Sequence, residues 1–388
     1  MVRIMPVVGA RSNFMKAAQA LGSYAEPSDL PLHATSEAVA AMEAPTAHLP
    51  GLDGLRMVSV LLVVVYHFGF LSVPGGHGVL AFFVISGFLI TWLLLKEEDR
   101  YGAVSLKLFY IRRTLRIFPA FYAFWILWTA AMLAFHKPII WPQALSALAY
   151  VNNYYQAILG DPGTGYSHTW SLGIEEQFYL LWPVSFIALR RRRSRAVAGV
   201  AGVILAVWIH RAILKLVVGV WQGYFYEAFD TRADHLMMGC LLALLLHDGY
   251  LPGLFRRLRR VWVSVVTVAL LVVSVALGET YGSGYRDIIG FALDPLLIAA
   301  IIVQAMALRE SPAWSWLNWR PVRYLGALSY SIYLYQQVIV EPAKKLLASQ
   351  GVAVQLAGVL VAVVLAAAAS YHLVECPFLR LKDRIGRR

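Results

Sequence analysis

Ten apolar windows, divided by glycine, proline and charged breakers, constrain the fold of this chain more than any other feature. They fall at about 55–73, 79–95, 117–134, 171–189, 196–218, 233–247, 261–277, 287–308, 323–340 and 352–373. A hydrocarbon layer roughly 30 Å thick takes about 20 residues of helix. Inside it every backbone polar group must be bonded within the protein, which leaves helices or closed barrels. The spacing therefore predicts an all-α membrane protein, a bundle of about ten transmembrane helices. Composition agrees: 59% of residues are hydrophobic, 14% are charged and the mean hydropathy is +0.62, outside the range of soluble domains. No internal repeat with a fixed period is visible, and no inverted halves of the kind that mark transporters.

The net charge of +12 does not read as nucleic-acid binding, because the basic residues sit in short runs between apolar windows. Examples are Arg190-Arg191-Arg192-Arg193-Ser194-Arg195, Arg256-Arg257-Leu258-Arg259-Arg260 and the stretch from Arg384 to Arg388. With the N-terminus in the cytoplasm, twenty-four Lys and Arg residues from Arg56 onward fall on the inner side. Five fall in outer loops: Lys137, Arg232, Arg286, Lys344 and Lys345. The positive-inside rule then makes both termini cytoplasmic. Residues 1–50 lack the compact apolar core and cleavage site of a signal peptide. Their Ala, Pro and Ser content reads as a poorly ordered cytoplasmic extension or as a start codon placed too far upstream. The membrane domain is expected over 51–383, with a basic cytoplasmic tail over 384–388. Cys240 and Cys376 offer neither a disulfide framework nor metal-ligand spacing and read as small packing residues. Residues 141–171 form a long outer stretch whose aromatic and amide content favours an ordered lid or re-entrant piece.

His67 follows Arg56 by eleven residues inside the first window. At about 1.5 Å per residue it lies roughly 16 Å further along the helix, near mid-membrane, and about 20° from the azimuth of Arg56. An ionisable group at that depth faces a bundle interior or a watered cavity. It reads equally well as a packing histidine bonded to a neighbouring helix. Arg112, Arg113 and Arg116 share a face at the inner start of the third window; they suit phosphate binding and, no less, positive-inside anchoring. His168 precedes Glu175 by seven residues, so the two share a face and are expected to form a polar pair at the outer mouth. Glu176 beside it is read as a macrodipole acid. Ser329, Tyr333 and Gln336 make a polar helical stripe that hydroxyl and amide bonding between helices also explains. Arg211 and Lys215, inside the fifth window, suggest that this span is shifted or tilted.

Taken in order, these segments resemble the acyltransferase-3 family of integral membrane acyltransferases, from about Gly51 to about Lys382. The resemblance rests on Leu52-Asp53-Gly54-Leu55-Arg56 with His67 eleven residues later, Phe82-Phe83-Val84-Ile85-Ser86-Gly87-Phe88-Leu89-Ile90, and Arg113-x-x-Arg116 followed by Pro119. Trp170-Ser171-Leu172 leading into Glu175-Glu176-Gln177-Phe178-Tyr179, Thr231-Arg232-Ala233-Asp234, Leu328-Ser329-Tyr330-Ser331-Ile332-Tyr333 and Glu375-Cys376-Pro377-Phe378 complete it. It implies an acyl-CoA donor, most often acetyl-CoA, approached from the cytoplasm, no metal, and a hydroxyl acceptor on a sugar, polysaccharide or related molecule. It places the chain in the cytoplasmic membrane of a bacterium. On that resemblance Arg56, Arg113 and Arg116 bind the donor, His67 is the essential histidine and Glu175 the acid of the fourth helix. His168, Trp170, Tyr333 and Ser329 are the candidate acceptor contacts. One departure stands out: members often carry a histidine where this chain has Gln336. As general base or as nucleophile of an acyl-imidazole, His67 suits the chemistry. The alternatives are a multi-pass transporter of sugars or ions and a non-catalytic lipid-binding or assembly subunit.

Overall fold

The computed structural model describes residues 50–385, apart from 71, 72 and 191. The expected extension over 1–50 lies outside the described residues except for Pro50, as do residues 386–388 of the expected tail. Every regular element among the described residues is a helix, and those of six residues or more are named here. In chain order the helices are α1 (Pro50–Phe68), α2 (Gly75–Tyr101), α3 (Leu106–Ala134), α4 (Trp141–Leu148), α5 (Asn152–Leu159), α6 (Trp170–Arg190), α7 (Arg193–Ile213), α8 (Gln222–Glu227) and α9 (Phe229–His247). There follow α10 (Pro252–Leu258), α11 (Val261–Tyr281), α12 (Phe291–Ala307), α13 (Arg320–Ala327), α14 (Ser329–Leu346), α15 (Val352–Ser370) and α16 (Cys376–Ile385).

Seven segments are long and apolar enough to cross a membrane. They are α1, α2, α3, α7 with its π turn, α11, Ser283–Ala307 containing α12, and Val352–Ile385 containing α15 and α16. Gln222–His247 and α10, with 108° between them, make an eighth when the bent pair is counted as one span. The two remaining sequence windows, 171–189 and 323–340, fall on α6 and mainly on α14. Both are helices, but Glu175, Glu176 and Arg190 in the first and Glu341, Lys344 and Lys345 in the second hold their hydropathy down.

The bundle is organised around α1 and α2. Of the α2 window 67% is buried inside the protein, against 17% of α11, so α2 is a central helix and α11 a peripheral one. The approach of α2 to α9 depends on glycine. A Cβ at Gly87 would stand 1.9 Å from the Leu236 carbonyl oxygen, and one at Gly239 2.0 Å from that of Val84. Phe83 packs near His235, and Asp99 bonds His247 at 2.7 Å, so the two helices run in the same direction. Helix α1 is antiparallel to α2, with Gly78 against Ser59 and Gly75 against Tyr66. It is parallel to α14: Gly326, just before that helix, meets Asp53, and Lys344 lies over the Phe68 ring. The end of the bundle where α1 starts is called the near end below, and the end where it stops the far end.

Three expectations about the spans change. First, α1 stops at Phe68, because Gly69 adopts φ 121 in the region only glycine favours; His67 therefore sits in the last helical turn at the far end, not at mid-span. Second, Arg211 and Lys215, read as signs of a shifted or tilted span, each have a buried carboxylate partner. Arg211 makes a bidentate pair with Asp234 at 2.7 Å per bond, and Lys215 bonds Asp287 at 2.7 Å. Third, Arg232 is not in an outer loop: it is fully buried in the first turns of α9. The stretch 141–171 folds as α4, α5 and a 3₁₀ turn over Ser167–Thr169. Buried amides fasten it: Asn152 Nδ2 donates to Tyr166 O and Thr169 Oγ1 at 3.0 and 2.9 Å, and Gln156 Nε2 donates to Ser167 O at 2.8 Å.

Candidate active site

His67 is half-buried. Its Nδ1 lies 2.9 Å from the Val63 carbonyl oxygen, which can only accept, so Nδ1 carries the proton and in a neutral ring Nε2 holds the lone pair. The Cβ direction in a helix tips the ring back toward Val63, into the bundle. His168 lies within electrostatic reach of it; burial and that neighbour push the His168 imidazole down to about 3. Among the described residues neither ring nitrogen of His168 makes a well-formed hydrogen bond.

Helix α14 meets His168 at this level. The Tyr333 hydroxyl donates to the His168 carbonyl at 3.0 Å and is 2.5 Å from Ser171 Oγ, and the two rings are 5.5 Å apart. Along the same helix Ser329 Oγ and both amide atoms of Gln336 are buried with no hydrogen-bond partner among the described residues. Trp170 turns the other way, with its ring 5.0 Å from Tyr226 and edge-on to Phe83.

Glu175 is not paired with His168. Its oxygens accept from Ser86 Oγ at 3.0 Å and from the Tyr179 hydroxyl at 3.1 Å, and its charged neighbours are Arg56 and Arg113. His168 lies in the 3₁₀ turn before α6, against Phe124 and Tyr333, while Glu175 faces Ser86 of α2. Seven residues also separate the two by about 10 Å along the axis, too far for a bond. Arg113 is held between the faces of Phe109 and Tyr179, 5.7 and 5.5 Å from the ring centres. Arg116 lies within electrostatic reach of Arg56, Arg113, Glu375 and Lys382. Arg112 is committed elsewhere, to an ion pair with Glu97 of α2. Glu375 accepts a short hydrogen bond from Ser331.

The structure thus brings the candidate side chains together in two groups. Arg56, Arg113, Arg116 and Glu175 meet toward the near end. His168 and Tyr333 meet further along the bundle, with His67 within electrostatic reach of His168 from the far end; Ser329 opens α14 on the near-end side of Ser331, and Trp170 follows His168 by two residues. Ser86, Tyr179, Glu375 and Lys382 join the first group without having been singled out for it. Ser86, Tyr179 and Glu375 lie within the motifs quoted above, but only contacts between helices assign them to Glu175 and the arginines. Among the described residues no set of three or more His, Cys, Asp or Glu side chains is placed to hold a metal ion.

The described residues thus form an all-helical bundle with seven or eight candidate membrane spans, an imidazole at one end of a central helix and clustered arginines toward the other. The chain belongs to the acyltransferase-3 family, whose acyltransferase-domain model matches residues 49–372. It is 31% identical over 314 residues to the putative peptidoglycan O-acetyltransferase YrhL of Bacillus subtilis, covering 76% of this chain and 49% of that protein. It is 30% identical over 314 residues to the peptidoglycan O-acetyltransferase OatA of Listeria monocytogenes, with coverage of 76% and 49%. It is 30% identical over 310 residues to the O-acetyltransferase OatA of Staphylococcus aureus, with coverage of 76% and 51%. The chain spans about half the length of the curated relatives it matches. No solved structure matches it.

Proposed function

We propose that the chain is a ten-span O-acyltransferase of the bacterial cytoplasmic membrane with both termini inside. It moves an acetyl group from cytoplasmic acetyl-CoA to a hydroxyl of a carbohydrate acceptor. The observation that carries this reading is the fixed tautomer of His67. With Nδ1 held by the Val63 carbonyl, Nε2 is the basic atom of a ring that has the buried imidazole of His168 within electrostatic reach. The acceptor oxygen attacks the thioester carbonyl as Nε2 takes its proton. Collapse of the tetrahedral intermediate expels the sulfur, which leaves as the thiol once the imidazolium returns that proton.

Arg56, Arg113 and Arg116 bind the CoA phosphates, for which planar guanidinium forks are well suited. Glu175 holds Arg56 and Arg113 in position rather than meeting the acceptor. His168, Tyr333, Ser329 and Trp170 form the acceptor side. The peptidoglycan named for the relatives makes a cell-envelope polysaccharide the first acceptor to try. The test is transfer of labelled acetyl from acetyl-CoA to envelope glycans by the purified full chain. His67→Ala is expected to lose about 10²- to 10⁴-fold in rate with donor binding retained. Wild-type rates from His67→Ala would overturn the proposal.

A further inference from the structure

Arg232 has no part in the reaction above, yet it is the kind of group a protein rarely buries without a use. It is fully buried, and neither Nε nor Nη1 makes a hydrogen bond to any described residue. Three aromatic rings surround the guanidinium: Phe291 at 4.1 Å from the ring centre, Tyr226 at 5.0 Å and Phe83 at 5.8 Å. Ring faces attract a cation from above and below, but they accept nothing from N–H groups lying in the guanidinium plane. The nearby carboxylate is already committed. Asp234 gives both oxygens to Arg211, and one of them also accepts from Trp208 at 2.9 Å. Arg211 and Arg286 add further positive charge around Arg232.

A cleft of about 180 Å³ lies next to this cage, lined by His77, Ser274, Tyr285, Arg286, Gly290 and Asp294 among others. It is equipped for hydroxyl groups: His77 and Ser274 both bond Asp294, at 2.9 and 2.5 Å, and Ser274 is 2.8 Å from the Tyr285 hydroxyl. The cleft and the cage share walls. Phe291 follows Gly290 in the chain, and Gly76, beside His77, lies so close to Tyr226 that a Cβ there would be 2.8 Å from its hydroxyl. Tyr226 is half-buried, and its ring, packed against Trp170 and over Arg232, is the partition between cleft and guanidinium.

The geometry points to a subsite for an acidic sugar: hydroxyls in the cleft against the Asp294–His77 pair, and a carboxylate against the in-plane donors of Arg232 once Tyr226 swings aside. Its use as an acceptor site rests on the acyl-transfer reading, whereas the binding itself does not. The experiment is thermal unfolding of the detergent-solubilised full chain with no acyl donor, titrated with potassium glucuronate, potassium acetate, glucose or potassium chloride at matched ionic strength. Glucuronate is expected to raise the midpoint by about 3 °C or more over chloride, with acetate and glucose each giving less. Arg232→Gln and Asp294→Asn should both reduce the glucuronate shift, and Arg232→Lys should retain part of it. If the first of these fails to fold, the wild-type comparison still decides. A glucuronate midpoint no higher than that in chloride or glucose would overturn the subsite, as would an undiminished shift in a folded Arg232→Gln protein. Neither result would alter the outcome of the acetyl-CoA assay.

Discussion

The two groups of polar side chains ask different things of a substitution. On the proposed assignment Arg113 and Arg116 meet the donor in its ground state, so removing either fork is expected to cost binding more than turnover. A charge-assisted hydrogen bond is worth roughly 1.5–3 kcal/mol, and Arg113→Gln or Arg116→Gln should raise the KM for acetyl-CoA by about 10- to 100-fold while kcat stays within a few-fold. A fall in kcat with unchanged KM would move these arginines out of the donor site. His168 carries a different expectation. Held near 3 by burial and by His67, it stays neutral across the working range, because a lowered pKa leaves the ring uncharged at every pH above it. His168→Asn should therefore leave the positions of the inflections in the pH–rate profile unmoved, whatever it does to acceptor KM.

Helix contacts set the larger energies. Arg211 and Asp234 are both buried and doubly bonded. Arg211→Met strands a carboxylate and should destabilise the protein by about 3–5 kcal/mol, while adding Asp234→Leu should recover most of that loss; a double variant no more stable than the single one would show that the pair is not what holds α7 to α9. At the α2–α9 crossing even a methyl group has nowhere to go. Gly87→Ala should cost about 1–3 kcal/mol or more, read as a lower unfolding midpoint in detergent. Such contacts also explain what the sequence left unread. Hydropathy ends a window at the first charges, but helical hydrogen bonding continues through them, so α2 runs on through Lys96 to Tyr101 and α3 begins at Leu106, well before the window at 117–134. The placing of Glu175 within a helix was legible from spacing. The partners of Glu175 were not, because Ser86 lies 89 residues away on another helix.

For the chain as a whole, the apolar windows carried the all-helical reading, and two of the windows, on α6 and α14, miss a purely apolar criterion because of the charges those helices hold. The ten-span reading predicts that a fluorescent-protein fusion after α16 is bright and an alkaline phosphatase fusion there inactive, with phosphatase activity recovered when the fusion follows α5. Inverted results would reverse the sidedness of donor and acceptor. The relatives are about twice as long as the region they share with this chain, so the membrane domain is the part to which these assignments apply. Within it, Arg56 and His67 ride on one unbroken helix, and their axial offset of about 16 Å cannot be stretched by either substrate. Helix α1 is thus a ruler. On the proposed assignment a donor gripped at its phosphates presents its carbonyl at one graduation only, and extra carbons on the acyl tail must find room beyond the imidazole or be refused.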